Sequence, residues 1–441
     1  MNSKKFFEMA AKKGINTAEL NYSVSKSFSF SLFKGEIISY ATDESISLSA
    51  RGIYKNKMGF VLTENPAPSN FNYMISAIIN SASYIESDDE PIIFEGSKSY
   101  KKRNVYSKVL ENWDTDSKLK LAHELEDKLI AADPRISDVE ISYGDDTSYF
   151  EKTNTYGLSL KSKSNNFYIY ASIVIKDGDE IKSNGKVFVD NDPSKFNMDE
   201  FVKELVEEGL AKLHGTTIKA GKYKAVLDRN CVASLMKAFI SNASSESIQK
   251  HSSLFEGKLN TPVASKKITI SEMPLNKNLY YTFFDSEGVA KYNKVVIEKG
   301  VLKTYFYNLG NARKDGVEST GNASGRGSKM GIGFGNLVLK PGRLSKEQLF
   351  EKIGNGIYIT DINGLHAGLN PMSGDFSLQS EGFHVKDGKK AGPVTLFTVS
   401  GNLFKMFNDV IAIGSDSKLL PDGTTCPSGA FRNLKISADE E

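Results

Sequence analysis

The sequence is poor in cysteine and has no long apolar run. Two cysteines, Cys231 and Cys426, stand in 441 residues. Because secreted chains of this length usually carry more, we expect a reducing, cytoplasmic setting. The longest weakly polar stretch, Tyr73 to Ile85, is interrupted by serine and asparagine and is shorter than the roughly 20 residues of a membrane span. The first residues also lack the apolar region of a secretory signal, so we expect no membrane association.

Charge of one sign is not in excess. The 56 lysines and arginines against 54 acidic residues leave a formal net charge of +2. This balance is too even to attract a polyanion through the overall field, so we expect no nucleic-acid partner. Hydrophobic residues at 39% and charged residues at 25% are typical of folded globular chains, and the length predicts two or three domains.

The common signatures of catalytic sites are missing. The sequence has no G-x-x-x-x-G-K-[ST] and no G-x-S-x-G, and the glycine-rich stretch 321–335 lacks the Rossmann spacing. His123 and Glu124 begin like a zinc-protease helix, but Asp127 stands where H-E-x-x-H needs its second histidine. The sequence therefore contains none of the usual motifs for phosphate binding, serine hydrolysis or a zincin site.

Hydrophobic periodicity predicts helices and strands in separate runs. Helical spacing predicts helices over 69–85, 115–132, 198–213 and 231–240. Alternation of apolar and polar residues predicts strands from residue 18 onward, over 139–143 and over 167–175. This pattern predicts an α+β fold with helices on mainly antiparallel sheets. We divide the chain into an N-terminal helix-plus-sheet domain (1–100), a central α+β domain (101–220) and a larger β-rich C-terminal domain (221–441).

One turn-rich segment gathers several polar side chains. Between Gly364 and Phe383 it contains His366, Asp375 and Ser377. Turns that present polar groups often line clefts, so we interpret this segment as a candidate cleft or interface wall.

Two further groups are weaker candidates. Asp285 and Glu287 stand two residues apart, which places both carboxylates on one side of an extended chain, where they could bind metal or peptide. An ordinary acidic turn is the alternative. Cys426 lies in a polar turn, where structural packing is the alternative to a reactive thiolate.

Four short motifs occur in a distinctive order. They are Asp285-Ser286-Glu287-Gly288-Val289, Ser319-Thr320-Gly321, Ser373-Gly374-Asp375-Phe376-Ser377 with Glu381-Gly382-Phe383, and Gly401-Asn402-Leu403. In this order they resemble the TldD/PmbA family, for which an older name is modulator of DNA gyrase. The resemblance is strongest over residues 221–437 and continues more faintly through the preceding segments.

The resemblance implies a cytoplasmic metallopeptidase of two subunits, active in proteolysis and peptide maturation. In this family a TldD-like subunit pairs with a PmbA-like subunit, also called TldE-like. The TldD-like subunit carries H-E-x-x-x-H on the first helix of its C-terminal domain and a late cysteine as a further zinc ligand. Two imidazoles and a thiolate leave an open zinc position for water, whose proton the glutamate takes.

This chain lacks that motif. Laying the family's helix on residues 228–243 puts the two histidine positions at Lys237 and Asn242 and the glutamate position at Ala238. Only Cys426 matches a ligand position, and it also occurs in PmbA-like chains. The chain therefore resembles the metal-free PmbA-like side, and we expect zinc only in a TldD-like partner.

Three hypotheses follow from these observations. The first is a zinc-free subunit that helps a TldD-like partner to cleave peptides. The second is a peptide-binding or scaffolding protein without peptidase activity, present as a homodimer. The third is a self-sufficient enzyme that uses Cys426, His366 or Asp375.

Overall fold

The computed structural model describes residues 2–86 and 89–438. The first half of the chain contains α1 (Ser3–Ala11), β1 (Thr17–Phe33), β2 (Glu36–Tyr54), β3 (Lys57–Thr63), α2 (Phe71–Ser83), α3 (Lys108–Glu111), α4 (Thr115–Ala132), β4 (Ile136–Asn154), β5 (Ser159–Asp177), β6 (Glu180–Asp190) and α5 (Met198–Leu210).

The second half is built from shorter elements. They are β7 (Gly221–Leu227), α6 (Arg229–Ile240), α7 (Ser245–Gln249), β8 (Ile270–Glu272), β9 (Lys294–Glu298), β10 (Val301–Leu302), α8 (Leu309–Asp315), β11 (Ala323–Ser324), β12 (Gly331–Ile332), β13 (Leu337–Leu339), α9 (Lys346–Ile353), β14 (Gly356–Asn363), α10 (Leu365–Gly368), β15 (Asp375–Lys386), β16 (Lys389–Asn402), α11 (Leu403–Asn408), β17 (Val410–Ile413), β18 (Lys418–Leu419), β19 (Thr425–Cys426) and β20 (Gly429–Ser437).

The helix predictions are confirmed to within a few residues. The prediction over 115–132 coincides with α4, which starts where the Asp114 carboxylate accepts the Ser117 N–H at 2.8 Å. The helix predicted over 198–213 ends at Leu210. The alternating segments are strands, but β4 and β5 are much longer than the patterns over 139–143 and 167–175 predict.

One antiparallel sheet spans the first two predicted domains. Its six strands lie in the order β3-β2-β1-β4-β5-β6, so β1 and β4 are the central pair. One face carries alternating apolar residues under the helices: α1 and α2 cover one half, and α4 and α5 cover the other. The opposite face is polar. The 100/101 boundary therefore divides the chain without dividing the sheet, and the three-domain division stays a prediction.

The C-terminal half contains a closed ring of strands. The order is β16-β15-β14-β7-β20-β17, and β16 also pairs with β20, so five strands close on themselves. The β7–β14 pair is parallel, whereas the other pairs of the ring are antiparallel. The apolar face of α6 packs into the same large core. A second six-stranded sheet, β10-β9-β8-β13-β19-β18, lies beside the ring.

Helices packed on mainly antiparallel sheets confirm the predicted α+β class. Within the described ranges, no helix combines the length and the apolar character that crossing a bilayer requires.

Candidate functional site

Helix α6 carries the residues that the family resemblance aligns with the zinc motif. It begins at Arg229 because the Asp228 side chain caps it, and Val232, Met236 and Phe239 are among the residues that bury its apolar face. The aromatic ring of Phe239 stacks on Phe407 with ring centroids 4.6 Å apart. These contacts fix the helix firmly against the core, so Lys237, Ala238 and Asn242 have defined surroundings.

Lys237 and Asn242 both have local partners. The Lys237 ammonium donates to the Asp422 carboxylate at 2.5 Å, which holds the pKa of Asp422 below its usual range in spite of partial burial. Asn242 is buried, and its amide nitrogen contacts the carbonyl oxygens of Ala238 (3.4 Å) and Phe239 (3.3 Å). Its amide oxygen accepts the Leu254 N–H at 3.3 Å. Asn242 thus ties the end of α6 to the following loop.

Cys426 lies on β19, which packs against α6. The thiol is fully buried, and burial together with the nearby Asp416 carboxylate raises its pKa well above the usual range. A thiol held in its protonated form is a poor nucleophile and a poor metal ligand. The geometry therefore favours a packing role for this side chain.

The residues around α6 do not fit zinc. A tetrahedral catalytic site needs three nitrogen, sulfur or carboxylate donors that converge on one point. Here a lysine and an asparagine stand at the positions aligned with the family's histidines, an alanine stands at the position aligned with its glutamate, and Cys426 is the one aligned residue with a donor that zinc commonly binds. No cluster of three His, Cys, Asp or Glu side chains suited to a metal occurs within residues 2–86 and 89–438.

Asp285 and Glu287 form a buried turn rather than an exposed one. The Asp285 carboxylate accepts three backbone N–H groups, those of Glu287, Val289 and Ala323, each at 2.9 Å. Glu287 accepts the Leu309 N–H at 2.8 Å. Burial raises the pKa of Asp285, and burial raises the pKa of Glu287 to about 7.

The turn packs directly against the polar face of the first sheet. Gly288 has a positive φ of 91°, and a Cβ there would lie 2.9 Å from Leu158 Cδ2 and 3.2 Å from Lys152 Cδ. The Tyr100 hydroxyl donates to the Gly288 carbonyl oxygen at 2.7 Å. Glycine suits this position because the positive φ strains other residues and a Cβ would crowd these two side chains.

Three charged side chains of the sheet lie below this turn. Glu19 on β1 accepts from Arg51 Nε of β2 at 2.9 Å and from Lys152 Nζ of β4 at 2.8 Å. All three side chains are buried, and the two cations lower the pKa of Glu19 to about 2 although burial alone would raise it. The Arg51 charge also acts on Asp285 and Glu287. We call these five residues the sheet–turn cluster: Glu19, Arg51, Lys152, Asp285 and Glu287.

The sheet–turn cluster is not fully hydrogen-bonded. Glu19 Oε2 and Arg51 Nη2 are buried and have no partner among the residues that the structure describes. The sequence motif points to the two carboxylates of the turn but not to Glu19, Arg51 and Lys152. The available signal was weak: each is a charged residue on a long strand, at a position one residue away from the apolar stripe.

His366, Asp375 and Ser377 all lie on the surface of the C-terminal half. His366 is exposed on α10. The interpretation of the segment as turn-rich holds only as far as Gly374, because β15 begins at Asp375. Asp375 accepts a 2.8 Å hydrogen bond from the Asn402 side chain, which lowers its pKa, and Ser377 faces Ser400 at 3.3 Å. The described contacts do not join His366 to the other two.

A depression of about 720 Å³ lies elsewhere, on the helix-covered face of the first sheet. Tyr22, Lys26, Tyr106, Lys118 and Tyr149 are part of its wall. None of the sequence-predicted site residues lines it, and its Lys118 already pairs with Asp145 at 2.6 Å.

Known proteins with the same architecture are found by sequence and by structure. Residues 108–213 match the PmbA/TldA metallopeptidase central domain, and residues 220–438 match the PmbA/TldA metallopeptidase C-terminal domain. A PmbA metalloprotease homologue of Buchnera aphidicola subsp. Baizongia pistaciae is 27% identical over 311 residues, which cover 69% of this chain and 67% of the relative.

Two solved structures extend the match to the whole chain. A candidate modulator of a DNA gyrase from Thermotoga maritima is 30% identical, with a TM-score of 0.91 and 99% of each chain covered. TldE from Thermococcus kodakarensis superimposes with a TM-score of 0.89 over 99% of this chain and 100% of its own, and at 20% identity it shows the shared fold. The predicted resemblance is confirmed, and the chain belongs to the PmbA/TldD family of metallopeptidase-like proteins.

Proposed function

We propose that this chain is the zinc-free, PmbA-like subunit of a two-subunit peptidase whose zinc site lies in a TldD-like partner. One observation carries the proposal: the positions equivalent to the family's zinc ligands hold Lys237 and Asn242, and both side chains already serve in local contacts. An ammonium cannot ligate zinc while it is protonated, and the asparagine amide is committed to the end of α6.

The proposed role is to complete the space around the partner's zinc. The exposed side of the segment 364–383 is the proposed wall, since Asp375 and Ser377 point outward from β15 and Met372 is 62% exposed. An extended peptide could lie along such a wall and present its carbonyl to the partner's metal. In this proposal the chain binds and orients, and the partner performs the hydrolysis.

The first test mixes the purified chain with a TldD-like chain from the same genome. We expect substoichiometric zinc in this chain by plasma emission spectrometry, a stable complex on mixing, and chelator-sensitive cleavage of unfolded peptides that the partner alone does not match. Failure to associate, or stoichiometric zinc in this chain alone, would remove the proposal.

A matched pair of variants separates this proposal from the self-sufficient enzyme. Cys426→Ala and Lys237→Ala should leave peptidase activity of the complex unchanged, after correction for any loss of folded protein. An enzyme built on the Cys426 thiol would instead lose activity completely in the first variant and keep it in the second.

The homodimeric scaffold is the second candidate. It predicts that the isolated chain binds peptides with the same affinity whether or not a zinc-bearing partner is present. Peptide binding measured by fluorescence anisotropy on the chain alone and on the mixture distinguishes the two.

A further inference from the structure

The face of the first sheet opposite the helices has a floor of small polar side chains. β1 has a serine at every second position over 23–31, and these serines alternate with the apolar residues of the helix-covered face. The strand register places Ser25 between Ser45 of β2 and Ser148 of β4. We call this surface the serine floor: it comprises the residues of β1, β2, β4 and β5 that face this side in the rows of the serines 23–31.

Two tyrosines of β5, Tyr168 and Tyr170, lie at one end of the serine floor. Each ring reaches across the sheet to a glycine of the neighbouring strand. A Cβ on Gly144 of β4 would lie 2.8 Å from Tyr168 Cζ, and a Cβ on Gly185 of β6 would lie 2.9 Å from Tyr170 Cζ. The two glycines thus let the rings approach the sheet closely. Tyr168 is 39% exposed and Tyr170 is 38% exposed, so both rings are also open to solvent.

Two valines of β6 extend this apolar surface. Val187 pairs with Tyr170 across the strands and Val189 pairs with Tyr168, and Val187 is 40% exposed. We call Tyr168, Tyr170, Val187 and Val189 the tyrosine platform. Exposed apolar side chains that cluster on a polar surface mark sites of interaction. An aromatic ring gains more from contact with other rings than the buried area alone gives, so the platform suits an aromatic side chain.

The serine floor next to the platform is acidic. Asp146 of β4 and Asp43 of β2 lie in one row, with Ser27 of β1 between them. No lysine or arginine of β1, β2, β4 or β5 faces this side in the rows of the floor. Two carboxylates repel phosphate groups, which argues against a nucleic-acid base as the aromatic ligand. The charge favours a ligand that carries a positive group.

The spacing between Asp146 and the platform fits an extended peptide. Asp146 pairs with Asn166, two residues before Tyr168 on β5, so Asp146 is a diagonal neighbour of Tyr168 at about 7 Å. Side chains i and i+2 of an extended peptide lie on one face at about the same spacing, ~7 Å. One peptide therefore places an aromatic side chain on the platform and a basic side chain beside Asp146.

The serine floor leads from the platform to the C-terminal half. At the other end of the floor, the Phe150 ring stacks on Phe284 with centroids 6.0 Å apart. Arg326 of the glycine-rich stretch also reaches that end, with Nη1 at 3.4 Å from Ser47 Oγ. Because β4 runs about 20 Å from Gly144 to Phe150, an extended peptide of about six residues spans the floor.

We propose that the tyrosine platform is a peptide-binding subsite, which holds an aromatic side chain of an extended peptide while Asp146 pairs with a lysine or arginine two residues further along. This role rests on the proposed function, because the peptide is taken to be the substrate of the two-subunit peptidase. The platform binds and selects, and no bond is made or broken there. The chain then contributes selectivity for aromatic and basic residues to the complex.

The test is fluorescence anisotropy of labelled peptides of about nine residues, long enough to span the floor, with the full chain alone. One peptide has phenylalanine and, two residues on, arginine in a glycine and serine background, and a second has alanine in place of the phenylalanine. We expect the native chain to bind the first at least about tenfold more tightly. The double variant Tyr168→Ala/Tyr170→Ala should bind the two peptides equally.

Two further variants serve as controls for the tyrosines. Tyr168→Phe/Tyr170→Phe keeps both rings and should keep the preference for the phenylalanine peptide. Tyr73→Ala, at a tyrosine 62% exposed on α2, should behave as the native chain. Each variant is judged by the ratio of the two affinities, because a fraction of unfolded protein lowers both affinities alike.

Asp146→Asn tests the second contact. A third peptide, with alanine in place of the arginine, should bind the native chain about threefold more weakly than the first, as expected for a half-exposed ion pair. In Asp146→Asn the two peptides should bind equally. Ser148→Ala, at a neutral neighbour on the same strand, should keep the native ratio.

The outcomes separate this subsite from the proposed function. No binding, equal binding of the phenylalanine and alanine peptides, a ratio unchanged by the double variant, or tighter binding of a β-glucan hexasaccharide would each overturn the subsite. In the mixture with a TldD-like chain, the double variant should raise the KM for the phenylalanine peptide only. Chelator-sensitive cleavage without this change would remove the subsite alone. Aromatic-selective binding by a chain that never associates with a TldD-like partner would remove the proposed function alone.

Discussion

The end of α6 and the sheet–turn cluster place polar residues in opposite environments. At α6, Lys237 is half exposed and pairs with one carboxylate, and Asn242 bonds to neighbouring backbone. In the sheet–turn cluster, side chains from three neighbouring strands and a turn are buried together, and two of their polar atoms have no partner among the described residues.

This difference shows which motif residues the fold depends on. Lys237 and Asn242, which we align with the family's zinc ligands, each form polar contacts with residues close to α6. The Asp285-Ser286-Glu287-Gly288 motif instead joins the C-terminal half to the first sheet. We therefore expect substitutions in the cluster to affect stability much more than substitutions at α6.

Glu19→Ala should have the largest effect. It leaves the Arg51 and Lys152 charges buried without their shared carboxylate, and breaking a buried ion pair in this way costs about 3–5 kcal/mol. The measurement is the free energy of unfolding in urea. Glu44→Ala is the control, since Glu44 pairs with Lys26 at the surface and should cost less than about 1 kcal/mol. Equal losses in the two variants would contradict the proposed importance of the cluster.

Glu287→Gln should stabilise the protein at alkaline pH. The folded pKa of about 7 lies above the ordinary value of 4.5, so the folded state holds this proton more tightly than the unfolded chain. The contribution of Glu287 to stability is therefore fully present below pH 4.5 and is lost as the pH rises through 7. Glutamine stays neutral, so the variant should exceed the native protein by up to about 3 kcal/mol at pH 8.

The check is the pH dependence of the free energy of unfolding for both proteins. The two curves should coincide below pH 4.5, separate between pH 4.5 and 7, and keep a constant separation above pH 7. Curves that stay parallel from pH 4 to 8 would show that Glu287 does not hold a proton in the folded protein.

Asn242→Ala should have an intermediate effect. The substitution removes the amide that bonds the last turn of α6 and the Leu254 N–H, at a cost of about 1–2 kcal/mol. Ser241→Ala, next to it on the exposed side, should cost less. Thermal unfolding of the two variants compares a buried with an exposed polar group at the same helix end.

Lys237→Met should have the smallest effect, below about 1 kcal/mol, because the ion pair with Asp422 is partly exposed. Repeating the urea titration at high salt should shrink even this difference, since surface charges are screened. A loss of unfolding free energy as large as that of Glu19→Ala would mean that the Lys237–Asp422 pair contributes as much to stability as the sheet–turn cluster.

The sequence predicts the local elements of this fold better than their assembly. Helical periodicity locates α4 and α6, because a helix depends on residues near in sequence. Glu19, Arg51 and Lys152 meet only because β1 pairs with both β2 and β4, which are far apart along the chain. No local sequence pattern encodes this contact, so the sequence does not predict the sheet–turn cluster.

The candidate site shows the same division. The absence of the family's histidines at Lys237 and Asn242 follows from the sequence and the family resemblance. The burial of Asp285 and Glu287 does not follow from the sequence, because an acidic turn with glycine is typical of exposed loops. The packing of Gly288 against Leu158 and Lys152 shows that the turn connects the C-terminal half to the first sheet.

The first sheet is built from two three-stranded parts, β1–β3 and β4–β6, and this has a practical consequence. β1 and β4 pair over fifteen residues from Glu19 to Phe33, although the connector 91–107 is the stretch of chain that leads from one part to the other. A protease that nicked this connector would produce two polypeptides on a denaturing gel. The nicked protein would still elute as one particle under native conditions, because the hydrogen bonds between β1 and β4, and not the peptide bond, hold the two parts of the sheet together.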